Sequence, residues 1–262
     1  MKLAIHGAAG RMGRRVTALA ASDPRFEIVA AVDSPSSRDL GKDAGTLAGV
    51  DALGVQISGA GFADAEVVVD FSLPEPASAA VAACVADKTP LVLATTGFDA
   101  EQRAAIEAAG ATVPLVWAPS MSPAVNMVMK LAETAGKALR GVPGGADVEI
   151  IERHHRFKED APSGTALRFG EIVANAMGLE NQTHGRHGKT GVRSDNEVGY
   201  HAVRTGDNPG EHTIVFGMLG ETIELKVAAS GRDCYALGAL QAAAWVVKQM
   251  PGVYGMADVL GL

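Results

Sequence analysis

The sequence predicts an α/β protein whose N-terminal part is a doubly wound parallel sheet. Short β-branched runs alternate with Ala-rich helical runs over the first 120 residues, the pattern of parallel strands joined by crossover helices. The glycine-rich run Gly7-Ala8-Ala9-Gly10-Arg11-Met12-Gly13 stands between the first apolar run and the first helical one. Near Met121-Ser122-Pro123 the texture changes, which marks a second structural region.

Taken in order, strands are expected at 2–5, 28–32, 67–71, 91–94 and 115–117. Helices are expected at 12–21, 77–86 and 100–109, the second introduced by Pro74 and Pro76 as start signals. Beyond the change of texture, a helix is expected from 126 to 139, then a turn at Gly141-Val142-Pro143-Gly144-Gly145. A strand follows at 147–155, and a helix begins at Ser163. Residues 181–212 are Gly-rich, polar and weakly periodic, so they are expected as a functional or intersubunit segment without regular structure. Alternating strands are expected at 213–217 and 221–228, and an Ala-rich helix at 235–248 ends the regular structure before Pro251.

A chain of 262 residues fits one large α/β domain or two modest ones, and 47% hydrophobic with 20% charged residues suffices for a substantial core. A formal charge of −7 argues against nucleic acid as a partner, but a few local cations can still bind an anionic substrate. The apolar run at the N-terminus is too short for a signal peptide, and no apolar stretch approaches the roughly 18 residues of a membrane span. The cytoplasm is the expected location. Cys84 and Cys234 have no CxxC spacing and read as reduced thiols.

The run Gly7–Gly13 has the ingredients of a dinucleotide turn. Its glycines permit a tight turn and close approach of backbone to pyrophosphate, while the following helix N-terminus attracts the phosphates. Its spacing is GxxGxxG rather than GxGxxG. Asp33 closes the second expected strand 20 residues beyond Gly13, where an acid can hold the ribose hydroxyls of the adenosine. Ala94-Thr95-Thr96-Gly97 and Ala118-Pro119-Ser120-Met121 end two further strands at the carboxyl edge, where such sheets bind ligands.

The densest cluster of reactive groups runs from Glu149 to Thr165. His154, His155, Arg156 and Lys158 lie within five residues, next to a helix start, and can serve proton transfer and anion binding together. Ser163 reads as an N-cap that leaves the Gly164 and Thr165 amides at the positive helix end, a carboxylate cradle built of backbone. Regular strand geometry would send His154 and His155 to opposite faces, so both can line one site only if the strand ends or bends there. A metal centre of His154, His155 and Glu152 matches no usual ligand spacing. The other histidines, His6, His184, His187, His201 and His212, are expected to be structural or exposed.

With these motifs together, the chain resembles the dihydrodipicolinate (4-hydroxy-tetrahydrodipicolinate) reductase family. His154-His155-Arg156, Lys158 and Asp160-Ala161-Pro162-Ser163-Gly164-Thr165 look like its signature, and Gly10-Arg11-Met12-Gly13 looks like its nucleotide turn. Thr95-Thr96-Gly97-Phe98, Gly188-x-Thr190-Gly191, Arg204-x-Gly206-Asp207, Gly210-Glu211-His212-Thr213 and Ser230-x-Arg232 extend the likeness over nearly the whole chain. The resemblance implies a Rossmann-like dinucleotide domain of residues 1–122 and 233–262, and an α+β mixed-sheet domain of residues 123–232 for substrate binding and tetramerisation. It implies hydride transfer from NADH or NADPH to a cyclic imine dicarboxylate, in lysine and diaminopimelate biosynthesis. By matched position, His154 and Lys158 handle protons, and His155, Gly164 and Thr165 bind substrate. Gly7, Ala8, Ala9, Gly10, Arg11, Met12, Asp33, Ala94, Thr95, Thr96, Ala118, Pro119, Ser120 and Met121 bind cofactor.

Departures from the family pattern are Ala94 for a glycine, Pro119 for an alanine and Phe157 for a histidine. Asp33-Ser34 also lacks the arginine that commonly follows the acid and meets the 2′-phosphate of NADPH, so NADH is expected to bind at least as well. Two other readings compete. Another Rossmann reductase, such as an amino-acid dehydrogenase, would act without any cyclic imine. A non-catalytic dinucleotide-sensing module would have no use for His154 and Lys158.

Overall fold

The computed structural model describes residues 1–62 and 64–262. The elements are β1 Lys2–His6, α1 Arg11–Ala21, β2 Glu27–Val32, α2 Ala44–Ala48, β3 Ile57–Ser58, β4 Val67–Asp70, α3 Pro74–Asp87, β5 Leu91–Leu93, α4 Ala100–Ala109 and β6 Pro114–Trp117. They continue with α5 Pro123–Leu139, β7 Asp147–His154, α6 Gly164–Met177, β8 Asn181–His184, β9 Glu197–Arg204, β10 Glu211–Met218, β11 Glu221–Ala228, α7 Asp233–Val246, β12 Gly252–Tyr254 and α8 Met256–Leu260. The chain divides into two compact units, Met1–Pro123 with Arg232–Leu262, and Ala124–Gly231.

The first unit is built on a seven-stranded sheet in the order β12-β6-β5-β4-β1-β2-β3, with every pairing parallel. Both faces are covered, so its strands read as continuous apolar runs. Leu3 and Ile5 of β1 face the cluster shared with α1 and α7, while Ala4 faces the cluster shared with α3 and α4. The strand order reverses between β1 and β4, which opens a crevice at their carboxyl ends. Helix α3 starts at Pro74, three residues before the expected 77, because proline in a first helical turn gives up no intrahelical bond. Regular structure also continues past Pro251, where β12 extends the sheet edge beside β6 and α8 follows. Three-residue strands are too short for a period to register in the sequence.

The second unit holds a mixed five-stranded sheet in the order β11-β10-β7-β9-β8. Strand β10 runs antiparallel to β7 and β11, whereas β9 runs parallel to β7 and β8. Val148 and Ile150 of β7 and Ile214 and Phe216 of β10 join α5 and α6 in one core. The segment 181–212, expected to lack regular structure, contains β8 and β9. Strand β8 is Asn-Gln-Thr-His, with no apolar residue to reveal it, and the buried half of β9 includes a glutamate and a glycine. Of the two strands expected at 213–217 and 221–228, β11 lies at the sheet edge and β10 is bonded on both sides.

Candidate active site

At the carboxyl end of β1, the chain turns through Gly7, whose φ is +76°. The Gly7 and Ala8 amides both donate to the Val32 carbonyl, at 2.9 and 3.0 Å, and the Gly10 amide donates to the Gly7 carbonyl. A Cβ on Gly7 would fall 2.7 Å from the Phe71 carbonyl oxygen, and one on Gly13 only 2.1 Å from the Gly7 carbonyl oxygen. Neither position therefore admits a side chain, and the turn is tight. Gly10 caps α1 without a side chain, so the first helical amides are left for an anion.

The cleft beside this turn has a volume of about 530 Å³ and is lined by Gly7, Ala9, Gly10 and Asp33, among others. The Asp33 carboxylate accepts from the Ala9 amide at 2.8 Å and from the Ser34 amide at 2.9 Å, which fixes it against the turn. Arg14 and Arg38 also line the cleft. Arg14 is committed to the Ala9 carbonyl and the Asp39 carboxylate, whereas Arg38 is exposed and makes no hydrogen bond among the described residues. A cradle that Cβ atoms would fill, a helix end and a fixed carboxylate together fit a dinucleotide. Among the expected contacts, Ala8, Ala118 and Met121 have buried side chains, so only their backbone can serve. Met12 packs against the core and Arg11 is exposed. Thr96 and Pro119 are exposed at the ends of β5 and β6, while Ala94 and Ser120 are half-buried there.

In the second unit, the buried face of β7 carries Val148, Ile150, Glu152 and His154 in strict alternation. The apolar core thus runs directly into a polar end. Glu152 is 1% exposed, and its carboxylate accepts from four donors. These are His154 Nδ1 at 2.5 Å, Arg204 Nη1 and Nη2 at 2.8 Å each, and the Ser163 amide at 3.1 Å. Across the sheet, His212 stands opposite Glu152, and its Nε2 meets the Ser163 hydroxyl at 3.1 Å. That hydroxyl also caps the Ala166 amide of α6. Strand β7 ends at His154, so His155 leaves the strand, half-buried, with its Nδ1 enclosed and without a partner among the described residues.

Burial holds His154 below the ordinary imidazole value, against the opposing pull of Glu152. Burial also pushes His212 down, to about 4, with the neighbouring His154 adding to the effect. For Glu152 burial alone would act upward, but the hydrogen bonds from Arg204 and His154 keep it ionised below its usual range. A Cβ on Gly210 would lie 2.9 Å from His154 Nε2, and only glycine accepts its φ of +148°. Glycine here leaves Nε2 uncovered. Nearby, Lys158 pairs with Asp160 at 2.8 Å, and nothing lies within 4 Å of a Cβ built on Gly164. The amides of Gly164 and Thr165 open α6 and have no intrahelical partner.

The structure therefore gathers His154, Lys158, Gly164 and Thr165 around one end of β7, with His155 at its rim. Sequence reasoning missed Glu152 as the partner of His154, together with Arg204 and His212. The i, i+2 spacing of Glu152 and His154 was a usable signal, whereas Arg204 and His212 arrive only through strand pairing.

Residues 1–121 match the family described as dihydrodipicolinate reductase, N-terminus, and residues 124–260 match its C-terminus counterpart. A 4-hydroxy-tetrahydrodipicolinate reductase of Rhodopirellula baltica is 56% identical over 270 residues, covering 100% of this chain and 96% of that one. The enzyme of the same name from Alkalilimnicola ehrlichii is 46% identical, covering 100% and 99%. Among solved structures, the dipicolinate-bound dihydrodipicolinate reductase of Paenisporosarcina sp. TG-14 superposes with a TM-score of 0.77 at 23% identity, covering 98% of each chain. An amine dehydrogenase of Mycobacterium smegmatis shares the fold with a TM-score of 0.64 at 12% identity, covering 97% of this chain and 94% of that one.

Proposed function

The chain belongs to the dihydrodipicolinate reductase family, and on that premise we propose how its residues divide the work of the reaction. It is an NAD(P)H-dependent oxidoreductase that reduces 4-hydroxy-tetrahydrodipicolinate, via dihydrodipicolinate, to tetrahydrodipicolinate in lysine and diaminopimelate biosynthesis. The Gly7–Met12 turn, Asp33 and the ends of β5 and β6 hold NADH or NADPH, which supplies the hydride when bound. The substrate, an imine conjugated to carboxylates, gains negative charge as it is reduced, so a proton source must stand beside it.

The observation that carries the assignment of roles is the Glu152–His154 pair at the open end of β7. At rest the imidazole is neutral near pH 7, with Nδ1–H given to Glu152 and the Nε2 lone pair free beside Gly210. A dianionic substrate raises the proton affinity of that nitrogen, and His154 then gives the proton up as charge develops. Lys158 exchanges Asp160 for a substrate carboxylate and is the second proton donor. The Gly164 and Thr165 amides, with the threonine hydroxyl, take a carboxylate at the positive end of α6, and His155 completes the binding. The unit of Ala124–Gly231 is accordingly the substrate unit.

That unit is also the proposed core of a homotetramer. Seven of the eight residues of β11 are not buried, and this edge presents unpaired backbone that a second copy would cover. Among the described residues no helix is long and apolar enough to cross a membrane, and a cytoplasmic location fits the reaction. Turnover measured with the unstable imine supplied in situ by its synthase tests the assignment. NADH oxidation that proceeds equally without the synthase would overturn it.

A further inference from the structure

The loop of residues 155–162 carries Lys158 between the end of β7 and the start of α6, and none of its side chains is buried. With no core of its own, it depends on polar bonds to its backbone for its shape. Both ends are tied to Glu152, which accepts from His154 Nδ1 just before the loop and from the Ser163 amide just after it. Near the first end, the Thr205 amide donates to the His154 carbonyl at 2.9 Å and the Arg156 amide donates to the Gly206 carbonyl at 3.1 Å. Beyond Lys158 the loop is held by a side chain, that of Arg204, whose Nη2 donates to the Asp160 carbonyl at 2.6 Å. The carboxylate of the same Asp160 takes the Lys158 ammonium at 2.8 Å.

Arg204 stands opposite His154 in the pairing of β7 with β9, so its guanidinium reaches Glu152 and the loop together. The N–H groups of a guanidinium can be accounted for one by one. Nη1 donates to Glu152 Oε2 and to the Val203 carbonyl, at 2.8 Å each. Nη2 donates to Glu152 Oε1 at 2.8 Å and to the Asp160 carbonyl, while Nε is enclosed, without a partner among the described residues. Arg204 thus has no N–H left to offer a substrate. We propose that Arg204 is a positioning residue for substrate binding: by holding the Asp160 carbonyl, it sets the loop so that Lys158 meets a carboxylate of the substrate. The proposal rests on the role given to Lys158 above. When the substrate displaces the Asp160 carboxylate, the Asp160 carbonyl stays on Arg204, so Lys158 changes partner without the loop losing its place. A lysine at position 204 would keep a positive charge against Glu152, but it lacks the fork that serves both carboxylate oxygens and a carbonyl at once.

The test is a double-mutant cycle on the affinity of pyridine-2,6-dicarboxylate, titrated calorimetrically into the NADH-loaded enzyme. The four proteins are the wild type, Arg204→Lys, Lys158→Ala and the double variant. Lys158→Ala should weaken binding roughly 10- to 100-fold, and Arg204→Lys roughly 5- to 20-fold. Because Arg204 acts through Lys158, the double variant should bind within roughly twofold of Lys158→Ala alone. The Kd of NADH should be the same in Arg204→Lys as in the wild type, which a general loss of structure would not allow. Wild-type dicarboxylate affinity in Arg204→Lys would overturn the proposal. So would losses that multiply in the double variant, for Arg204 would then act on the ligand directly or through the fold at large. Should Arg204→Lys not fold, Arg204→Gln replaces it in the cycle and is judged by the same outcomes. Wild-type affinity in Lys158→Ala would overturn the role of Lys158 and the proposal with it, whereas a failure confined to Arg204 leaves that role standing.

Discussion

Replacing Glu152 by glutamine probes the substrate site through a residue that needs no contact with substrate. The change keeps the size of the side chain and removes one negative charge 2.5 Å from the His154 ring. Unit charges about 4 Å apart interact by roughly 4 kcal/mol at an effective dielectric of 20 and roughly 1 kcal/mol in bulk water. The imidazolium of His154 therefore loses about 1–4 kcal/mol of support, and its proton affinity falls. Burial already holds His154 below its ordinary value, so without Glu152 it falls further. If His154 acts as an acid, kcat/KM declines as pH rises through that affinity, and the declining limb moves to lower pH in the variant. At pH 7 we expect kcat/KM to fall by roughly 10- to 10³-fold, with partial recovery on acidification. His154→Gln should lose activity by roughly 10²–10⁴ without such recovery. Arg204 keeps some solvent contact, so destabilisation should stay below the roughly 3–5 kcal/mol of a fully buried broken pair. The assay is a pH profile of kcat/KM with coupled imine supply. A limb at the wild-type pH, or an equal loss at every pH, would show that Glu152 does not govern the proton on His154.

Four further outcomes are open to measurement. Pyridine-2,6-dicarboxylate should compete with substrate, and Lys158→Ala or Thr165→Val should each weaken it by about 1.5–3 kcal/mol, so equal inhibition of all three proteins would place the dicarboxylate elsewhere. His212 has its affinity lowered from an unfolded value near 6.5 to about 4, so the unfolded chain binds the extra proton. Stability should then be full above pH 6.5 and drop by about 3 kcal/mol toward pH 4, a loss that denaturant titration should find reduced in His212→Gln. NADH should bind at least as well as NADPH because Asp33 faces the cleft with Ser34 beside it, and Ser34→Arg should favour NADPH by roughly 1–3 kcal/mol. A tenfold NADPH preference in the wild type would instead assign the 2′-phosphate to the unpaired Arg38. Light scattering at micromolar concentration should give a tetramer, and a monomer would contradict the role given to β11.

The sequence made the parallel unit easy to read, because strands buried on both faces are unbroken apolar runs and each is separated from the next by helix or turn signals. Its expected boundaries differ by no more than three residues from those of β1, α1, β2, β4, α3, β5, α4 and β6. Strand β8 failed for the opposite reason. It carries no apolar and no buried side chain, so nothing in Asn181–His184 distinguishes it from a loop. The dinucleotide turn was legible because its requirements are local, a positive φ at Gly7 and a close approach at Gly13. The support of His154 was not. Arg204 reaches Glu152 from β9 and His212 faces it from β10, across separations of 52 and 60 positions that no spacing rule anticipates.

The alternation along β7 also accounts for the place of the proposed substrate site. On β7 the alternation that places Val148 and Ile150 in the core places Glu152 and His154 on the same face, two residues and then four residues further on. A carboxylate and an imidazole at core positions would normally be destabilising, unless the surrounding strands return donors to them. Arg204 does so from β9, and the Ser163 amide does so from the start of α6. The same enclosure that makes the pair costly to bury fixes the Nδ1 proton toward Glu152 and leaves Nε2 as the only nitrogen that can exchange. Gly210 then keeps that nitrogen open. Any substitution that relaxes the enclosure should therefore alter the pH dependence of turnover before it alters the fold, and an Arg204 variant that loses activity with an unchanged pH profile would break this link between burial and proton transfer.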